Sequence, residues 1–124
     1  MKSVHSEQAP KAVGPYSQAI ELNGFVFASG QLPIDPITGQ FPEGGIREQT
    51  RQSILNAQSV LNAAGLGLSN VVKTTVYLSD MDNFAAMNEV YAEFFQEPYP
   101  ARSAVAVRTL PKNALVEVEC IASK

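Results

Sequence analysis

The sequence predicts an α+β fold, a ββαβαββ sandwich in which two helices cover one face of a sheet. Three features indicate it: an Asn-Gly pair between two apolar-rich runs, two segments with helical apolar spacing, and three further β-like runs. The 124 residues fit one domain spanning positions 1–124. The hydrophobic share of 45% is enough for a core.

The first two strands are predicted as a hairpin over residues 17–22 and 25–30. Asn23 and Gly24 lie between them, and both tolerate the positive φ angles of a type I′ turn. This two-residue loop fixes the register. The residues that we expect to pair across the hairpin and form one core stripe are Ile20, Leu22, Phe25 and Phe27.

The end of this hairpin away from the turn is where polar groups should gather. Continuing the register brings Tyr16, Ser29 and Gly30 close together. Residues 1–15 are polar and read as an arm or loop. Residues 31–45 contain repeated Pro and Gly and are predicted as a long loop of successive turns.

Two amphipathic helices are predicted, with a strand between them at Val71–Leu78. The first covers Ile46–Ala64 and ends at Gly65, with Leu66 packing back in a Schellman arrangement. The second follows Asp80 and Asp82 as candidate N-caps and stops before Pro98 and Pro100. Its buried stripe, which reads as core and not as a cofactor site, is Phe84, Met87, Tyr91, Phe94 and Phe95.

The last two strands are predicted over Arg102–Arg108 and Leu115–Ala122 as an antiparallel pair whose valine faces meet the helices. The opposite face would carry Arg102, Ala104, Ala106, Leu115, Glu117, Glu119 and Ile121. This mixture is neither a core nor an ordinary solvent face. Two interpretations stay open: a solvated face with a salt bridge, or sheets of several copies packed together with a charged cavity at the seam.

Composition excludes several classes of protein. The net charge of −3 gives no basic footprint, so no nucleic-acid partner is expected. Charged residues make up 17%, below the usual ~25%, which suggests a surface buried against another copy. With one cysteine, Cys120, and one histidine, His5, we expect no disulfide and no metal site. Neither a signal peptide nor a membrane span is evident, so a cytoplasmic location is expected.

Four short motifs carry a family resemblance. They are Gly14-Pro15-Tyr16-Ser17, Ser29-Gly30-Gln31, Pro100-Ala101-Arg102-Ser103 and Val116-Glu117-Val118-Glu119. From Ala9 to Ala122 the chain resembles the YjgF/RidA family of reactive-intermediate deaminases.

The resemblance implies a chorismate-mutase-like fold and a homotrimer whose sheets form a central barrel with three sites between subunits. It also implies hydrolysis of 2-imino acids to 2-oxo acids and ammonia, without a cofactor. The imines would be 2-iminopropanoate (with its tautomer 2-aminoacrylate) and 2-iminobutanoate, by-products of pyridoxal-phosphate dehydratases acting on Ser and Thr.

Within the resemblance, the substrate carboxylate and the attacking water each have a candidate partner. The guanidinium of Arg102 can hold the carboxylate with two parallel hydrogen bonds. Its alternative is a structural ion pair with Glu119. Glu117 can deprotonate a water molecule that attacks the imine carbon, provided that partial burial raises its pKa. Its alternative is a solvated strand residue, and Glu119 is expected to be structural.

Smaller contributions are expected from four other positions. The hydroxyls of Ser29 and Tyr16 would lie near the imine nitrogen or the water, and the alternative role of Tyr16 is that of a packing aromatic. The backbone N–H of Gly30 would bind a carboxylate oxygen. Many relatives carry Cys at the position of Ala104, where the backbone amide is still available for ligand. Cys120 is expected to be an inert core thiol.

Two other functions stay open: a non-catalytic trimer that binds small acids, and an RNA-cleaving translation inhibitor. The acidic charge and the single His5 argue against the second. In the predicted register Arg102 lies opposite Ile121, about 13 Å from Glu117 in the same chain. Either the register is shifted, or the site combines Arg102 of one subunit with Glu117 of its neighbour, which we favour.

Overall fold

In the computed structural model, which describes residues 1–124, six strands form one sheet and two α-helices lie on one of its faces. The helices are α1 (Ile46–Ala63) and α2 (Phe84–Phe94). The strands are β1 (Lys2–Val4), β2 (Ala19–Leu22), β3 (Phe25–Gln31), β4 (Val71–Leu78), β5 (Ala101–Ala106) and β6 (Val116–Ser123). Their order in the sheet is β1-β2-β3-β6-β4-β5, and β4 with β5 is the one parallel pair. The predicted α+β class is confirmed, and β1 is a strand where only an arm or loop was predicted.

The β2–β3 hairpin has the predicted turn and register. Asn23 and Gly24 have φ angles of 53° and 81°, and Leu22 pairs with Phe25. The predicted core face is wrong. The large side chains of Phe25 and Phe27 are 42% and 44% exposed. The residues of the hairpin that face the helices and are buried are Ala19, Val26 and Ala28.

Helix α1 ends in the predicted way. Gly65 takes the left-handed conformation at φ 78°, and the N–H of Leu66 donates to the carbonyl of Leu61 at 2.9 Å. These are the features of a Schellman cap. The helix packs on the sheet through buried apolar residues, which include Ile54, Ala57, Val60 and Leu61.

Helix α2 follows a short 3₁₀ turn in which the Asp80 side chain accepts a hydrogen bond from the N–H of Asp82 at 2.8 Å. Met87 and Tyr91 of the predicted stripe are buried. Two ion pairs join α1 to α2 across their exposed sides, Arg47 with Glu89 and Arg51 with Glu93, each at 2.7 Å.

The predicted β5–β6 hairpin is wrong. β6 lies between β3 and β4, and β5 pairs in parallel with the far side of β4. Arg102 and Cys120 flank Thr74 on either side. Thr74 is buried against α2 through a 2.8 Å hydrogen bond to the Tyr91 hydroxyl. Arg102 and Ala104 therefore lie on the helix face, opposite to the predicted one, and Val105 lies on the other face.

The face of the sheet without helices has no cover within the chain. It carries exposed large apolar side chains of the β2–β3 hairpin together with Val105, which is 46% exposed. Lys73, Tyr77 and Glu119 lie among them, because neighbours in the β4–β6 register share a face. We call this surface the outer face.

Candidate active site

A cavity of about 440 Å³ opens at the end of the β2–β3 hairpin away from its turn. Tyr16, Ser29 and Gly30 line it, so the hairpin register brings these residues together as predicted. Glu117 of β6 lines the same cavity. The remaining lining residues are Pro10, Lys11, Val13, Gln18, Gln31, Leu32, Ile34, Pro111 and Lys112.

Glu117 is the acidic group of this cavity. The β3–β6 register shifts between Ala28 and Gln31, and at this irregularity the backbone of Gly30 lies against the Glu117 carboxylate. A side chain at position 30 would overlap that carboxylate, so glycine permits the close approach. Burial raises the pKa of Glu117, and the negative charge of Glu119 raises this pKa further. The carboxyl group therefore holds a proton more tightly than a solvated glutamate, which is the direction of shift that a general base requires.

Glu119 points from the same face of β6 and has a partner of its own. The Tyr77 hydroxyl donates a 2.7 Å hydrogen bond to Glu119 Oε1. This hydrogen bond raises the pKa of Tyr77, and burial and the two nearby carboxylates add to the effect. The alternative ion pair of Arg102 with Glu119 is not formed, because Arg102 lies on the opposite face of the sheet.

The two hydroxyl groups of the cavity are oriented by the backbone. Ser29 Oγ donates to the carbonyl of Ser17 at 2.7 Å, which leaves its lone pairs free to accept a hydrogen bond from a ligand. Tyr16 is 52% exposed, and its oxygen accepts a 3.4 Å hydrogen bond from the N–H of Val13. The phenolic proton is thus free to point towards a ligand.

Arg102 lies in a second, separate cavity of about 420 Å³ beside α2. Its Nη1 donates to Asn88 Oδ1 at 2.6 Å, and its Cζ lies 4.8 Å from the ring centroid of Tyr91. The arginine ion pairs of the chain involve Arg47 and Arg51. Arg102 therefore keeps its positive charge unpaired, while the Asn88 amide and the rings of Tyr91 and Phe84 fix its direction.

Ala104 is on the same edge strand as Arg102. The N–H of Val107 donates to the carbonyl of Leu78 in β4 at 2.8 Å. Because N–H groups alternate in direction along a strand, that of Ala104 points away from the sheet and has no partner in β4. This backbone donor is therefore unpaired within the sheet.

The structure thus divides the predicted site residues into two groups. Tyr16, Ser29, Gly30 and Glu117 share one cavity, and Arg102 with Ala104 lies elsewhere. Arg102 is separated from Glu117 by two strand spacings across the sheet and by three residues along β6. The backbones of the two residues are therefore about 14 Å apart, and their side chains lie on opposite faces of the sheet. One small acid cannot touch both groups within one chain.

Sequence reasoning missed several supporting residues. Asn88 and Tyr91 hold Arg102, and two buried amides of α1, Gln49 and Asn56, form hydrogen bonds to the backbone beside the first cavity. Gln49 Oε1 accepts the N–H of Leu115, two residues before Glu117, at 2.8 Å. For the two amides of α1, the signal in the sequence is a polar side chain on the apolar side of a predicted helix. A buried amide in such a position normally has a hydrogen-bonding partner.

Other candidate chemistry is limited. Cys120 is buried on the helix face, and burial, followed by the charge of Glu119, raises the pKa of its thiol to about 12. Such a thiol is inert at neutral pH. No cluster of three or more potential metal-ligating side chains is present. Neither helix is long and apolar enough to cross a membrane.

Comparisons with known proteins cover nearly the whole chain. A family model described as endoribonuclease L-PSP matches residues 6–124. A RutC family protein of Pyrococcus horikoshii is 55% identical over 121 residues, which are 98% of this chain and 96% of that one. A 2-iminobutanoate/2-iminopropanoate deaminase of Bos taurus is 45% identical over 98% of this chain and 88% of its own length. The crystal structure of Escherichia coli TdcF with bound serine superposes with a TM-score of 0.95 at 42% identity, covering 100% of this chain and 99% of that one.

Proposed function

The chain belongs to the YjgF/RidA family, which the matching family model describes as endoribonuclease L-PSP, and we propose that it hydrolyses small 2-imino acids to 2-oxo acids and ammonia. The substrates proposed are 2-iminopropanoate, with its tautomer 2-aminoacrylate, and 2-iminobutanoate. The observation that carries the proposal is the half-buried Glu117 carboxylate, set against Gly30 and free of any hydrogen-bonding partner in the chain, with its pKa raised. The bovine relative named above bears the name of this activity.

Glu117 acts as the proton acceptor for water. The water oxygen forms a bond to C2 of the imine as its proton passes to Glu117, and the C=N π electrons move to nitrogen. The protonated Glu117 then gives this proton to the nitrogen, which completes the carbinolamine. Glu117 next takes the proton of the carbinolamine hydroxyl and passes it to the nitrogen, so that the C–N bond breaks as the C=O bond forms and ammonia leaves. The balance is one imino acid plus one water to one 2-oxo acid plus one ammonia, so no redox partner or cofactor is needed.

The hydroxyls of Tyr16 and Ser29 lie where they can hold the water and the imine nitrogen. Both line the cavity that contains Glu117. Tyr16 supplies a free O–H donor and Ser29 supplies free lone pairs, so a bound imine nitrogen finds both types of partner. The N–H of Gly30 can donate to a carboxylate oxygen at the same point.

The substrate carboxylate needs a cationic partner, and we propose that Arg102 of a neighbouring copy supplies it. A bidentate guanidinium–carboxylate pair adds both charge and orientation. Arg102 is unpaired and held by Asn88, and the outward N–H of Ala104 lies on the same strand. Within one chain these groups are too far from Glu117, so the site is complete only between subunits.

The outer face supports a homotrimer in which the sheets pack around a common axis. Phe25 and Phe27 are each more than two-fifths exposed in the single chain, and Val105 is 46% exposed. Large apolar side chains concentrated on one sheet face mark an association surface. The low charge content of 17% fits the same arrangement.

A non-catalytic carboxylate-binding protein is the second candidate function. The TdcF structure, by its title, holds serine, a small carboxylic acid. Glu117 distinguishes the two functions, because a protein that only binds a carboxylate gains nothing from a second acid beside it. RNA cleavage is not proposed: His5, the one histidine, is paired with Glu7 at 2.8 Å and lies outside the cavity.

The deciding experiment measures release of ammonia and 2-oxo acid from freshly generated 2-iminopropanoate and 2-iminobutanoate, with and without the protein. We expect the protein to accelerate release well above the spontaneous rate, and Glu117→Gln to return it close to that rate. Binding of 2-oxobutanoate without any acceleration would favour the carboxylate-binding function instead.

A further inference from the structure

We propose that Asn56 of α1 is a positioning residue that determines how the site accommodates the substrate side chain, by fixing Leu32 and Ile34 in the cavity wall. The inference rests on the proposed function, in which the substrates differ only in their side chains. Asn56 itself does not line the cavity. It acts through the loop that follows β3.

Three hydrogen bonds fix the Asn56 amide. Its Nδ2 donates to the carbonyls of Leu32 at 3.0 Å and Ile34 at 2.8 Å, and Gln52 Nε2 donates to its Oδ1 at 2.9 Å. Asn56 is 1% exposed, so water does not compete for these groups. Both N–H groups and the oxygen of the amide are satisfied, and Gln52 fixes which way round the amide lies.

The loop depends on this amide because it has little other hydrogen-bonding support there. Residues 32–34 lie beyond the end of β3, outside the sheet. The backbone hydrogen bonds that follow, from the N–H of Asp35 to Gln40 and from the N–H of Gly39 to Asp35, close a local turn and do not reach the helices. Asn56 thus anchors the loop to α1 at two alternate carbonyls.

Leu32 and Ile34 form the apolar wall of the cavity. Both are half-buried, whereas Val13, which also lines the cavity, is 86% exposed and gives no firm surface. The groups proposed to meet the carboxylate, nitrogen and water are all polar. The methyl or ethyl group of the substrate is its one apolar part, and this wall is the surface that matches it.

The test compares the affinities of pyruvate and 2-oxobutanoate, the stable products, which differ by one methylene. A fixed apolar wall that buries the methylene gives about a fourfold preference for 2-oxobutanoate. In Asn56→Ala the two carbonyls lose their donor and the loop loosens, so we expect the preference to fall close to one. Gln52→Met, which removes only the group that orients Asn56, should lower the preference by a smaller factor. Isothermal titration gives both dissociation constants directly.

Val60→Ala is the control, because Val60 is fully buried on the same helix, has no side-chain donor for the loop carbonyls and does not line the cavity. It should lower the melting temperature and leave the preference unchanged. The inference is overturned if Asn56→Ala and Gln52→Met keep the wild-type preference, if Val60→Ala changes it equally, or if the wild type shows no preference. A wild type that binds with this preference but does not turn over imines overturns the proposed function and leaves the role of Asn56 standing.

Discussion

The α-carbon of Gly30 lies so close to the Glu117 carboxylate that even a methyl group at position 30 would overlap Oε1 of Glu117. The contact arises where the β3–β6 register shifts, so the two strands meet irregularly at the point where the acid is needed. Glycine is therefore needed at position 30 for space and not for a left-handed backbone conformation. Its missing side chain defines the position of the proposed base.

The first prediction follows from that contact. Gly30→Ala should displace the Glu117 carboxylate and lower kcat by about a hundredfold, the lower end of what general acid–base catalysis contributes. Gly67→Ala is the matched control, because nothing lies within 4 Å of a Cβ at position 67 and its backbone is extended. Steady-state rates of both variants with 2-iminopropanoate check the expectation. Equal kcat values for the two variants would contradict the prediction, because turnover would then not depend on the position of the Glu117 carboxylate.

The second prediction concerns Glu117→Gln, which keeps the size of the side chain but cannot accept a proton. It should bind 2-oxobutanoate with nearly unchanged affinity and lose turnover.

The stability of Glu117→Gln should also differ from that of wild type in its dependence on pH. The folded protein holds the Glu117 proton more tightly than the unfolded chain, so wild-type stability falls as pH rises from 4.5 through the raised pKa. The variant lacks this loss, so it should melt at a higher temperature than wild type at about pH 8 and at a similar temperature at acid pH.

The third prediction uses the charge of Glu119. Activity should fall on the acid side as Glu117 becomes protonated, at a pH above the usual range of a glutamate, because its pKa is raised. In Glu119→Gln one of the two causes is gone, so the acid limb should move to lower pH. Tyr77→Phe provides a control that removes the hydrogen bond to Glu119 and keeps its charge. If the acid limb of Glu119→Gln stays at the wild-type pH, the charge of Glu119 does not influence the group that titrates, and the prediction is contradicted.

The fourth prediction tests the carboxylate clamp. Arg102→Lys keeps the charge but loses the two-point geometry, as well as the guanidinium placed over the Tyr91 ring. The expected loss is about 2–4 kcal/mol of transition-state stabilisation, measured as kcat/KM. Size-exclusion chromatography with light scattering should show an unchanged oligomer. Turnover near that of wild type by the lysine variant would remove Arg102 from the proposed site.

Local signals in the sequence predicted local structure well. The Asn23-Gly24 turn, the end of α1 at Gly65 and the extent of β4 all depend on residues that interact within a few positions of one another. The grouping of Tyr16 with Ser29 and Gly30 followed from the hairpin register alone.

Non-local pairing could not be predicted in the same way. The short link between β5 and β6 favours a hairpin. The alternating valines of β6 fit equally well between β3 and β4, where both edges of β6 are paired with a neighbouring strand. The hairpin face was misassigned for a related reason. Phe25 and Phe27 are the larger apolar residues, yet the smaller Val26 and Ala28 face the helices. A surface proposed to be covered by other copies has the composition of a core, so one sequence cannot tell the two faces apart.

The distance of Arg102 from Glu117 makes the shared site the central claim, and subunit mixing tests it most directly. Arg102→Ala and Glu117→Gln chains are each expected to be inactive alone. Refolded together in equal amounts, they should recover about one quarter of the wild-type sites, because each site needs one intact group from each of two neighbouring chains. A mixture that exchanges subunits, as shown by native mass spectrometry, and yet stays as inactive as either parent would contradict the account.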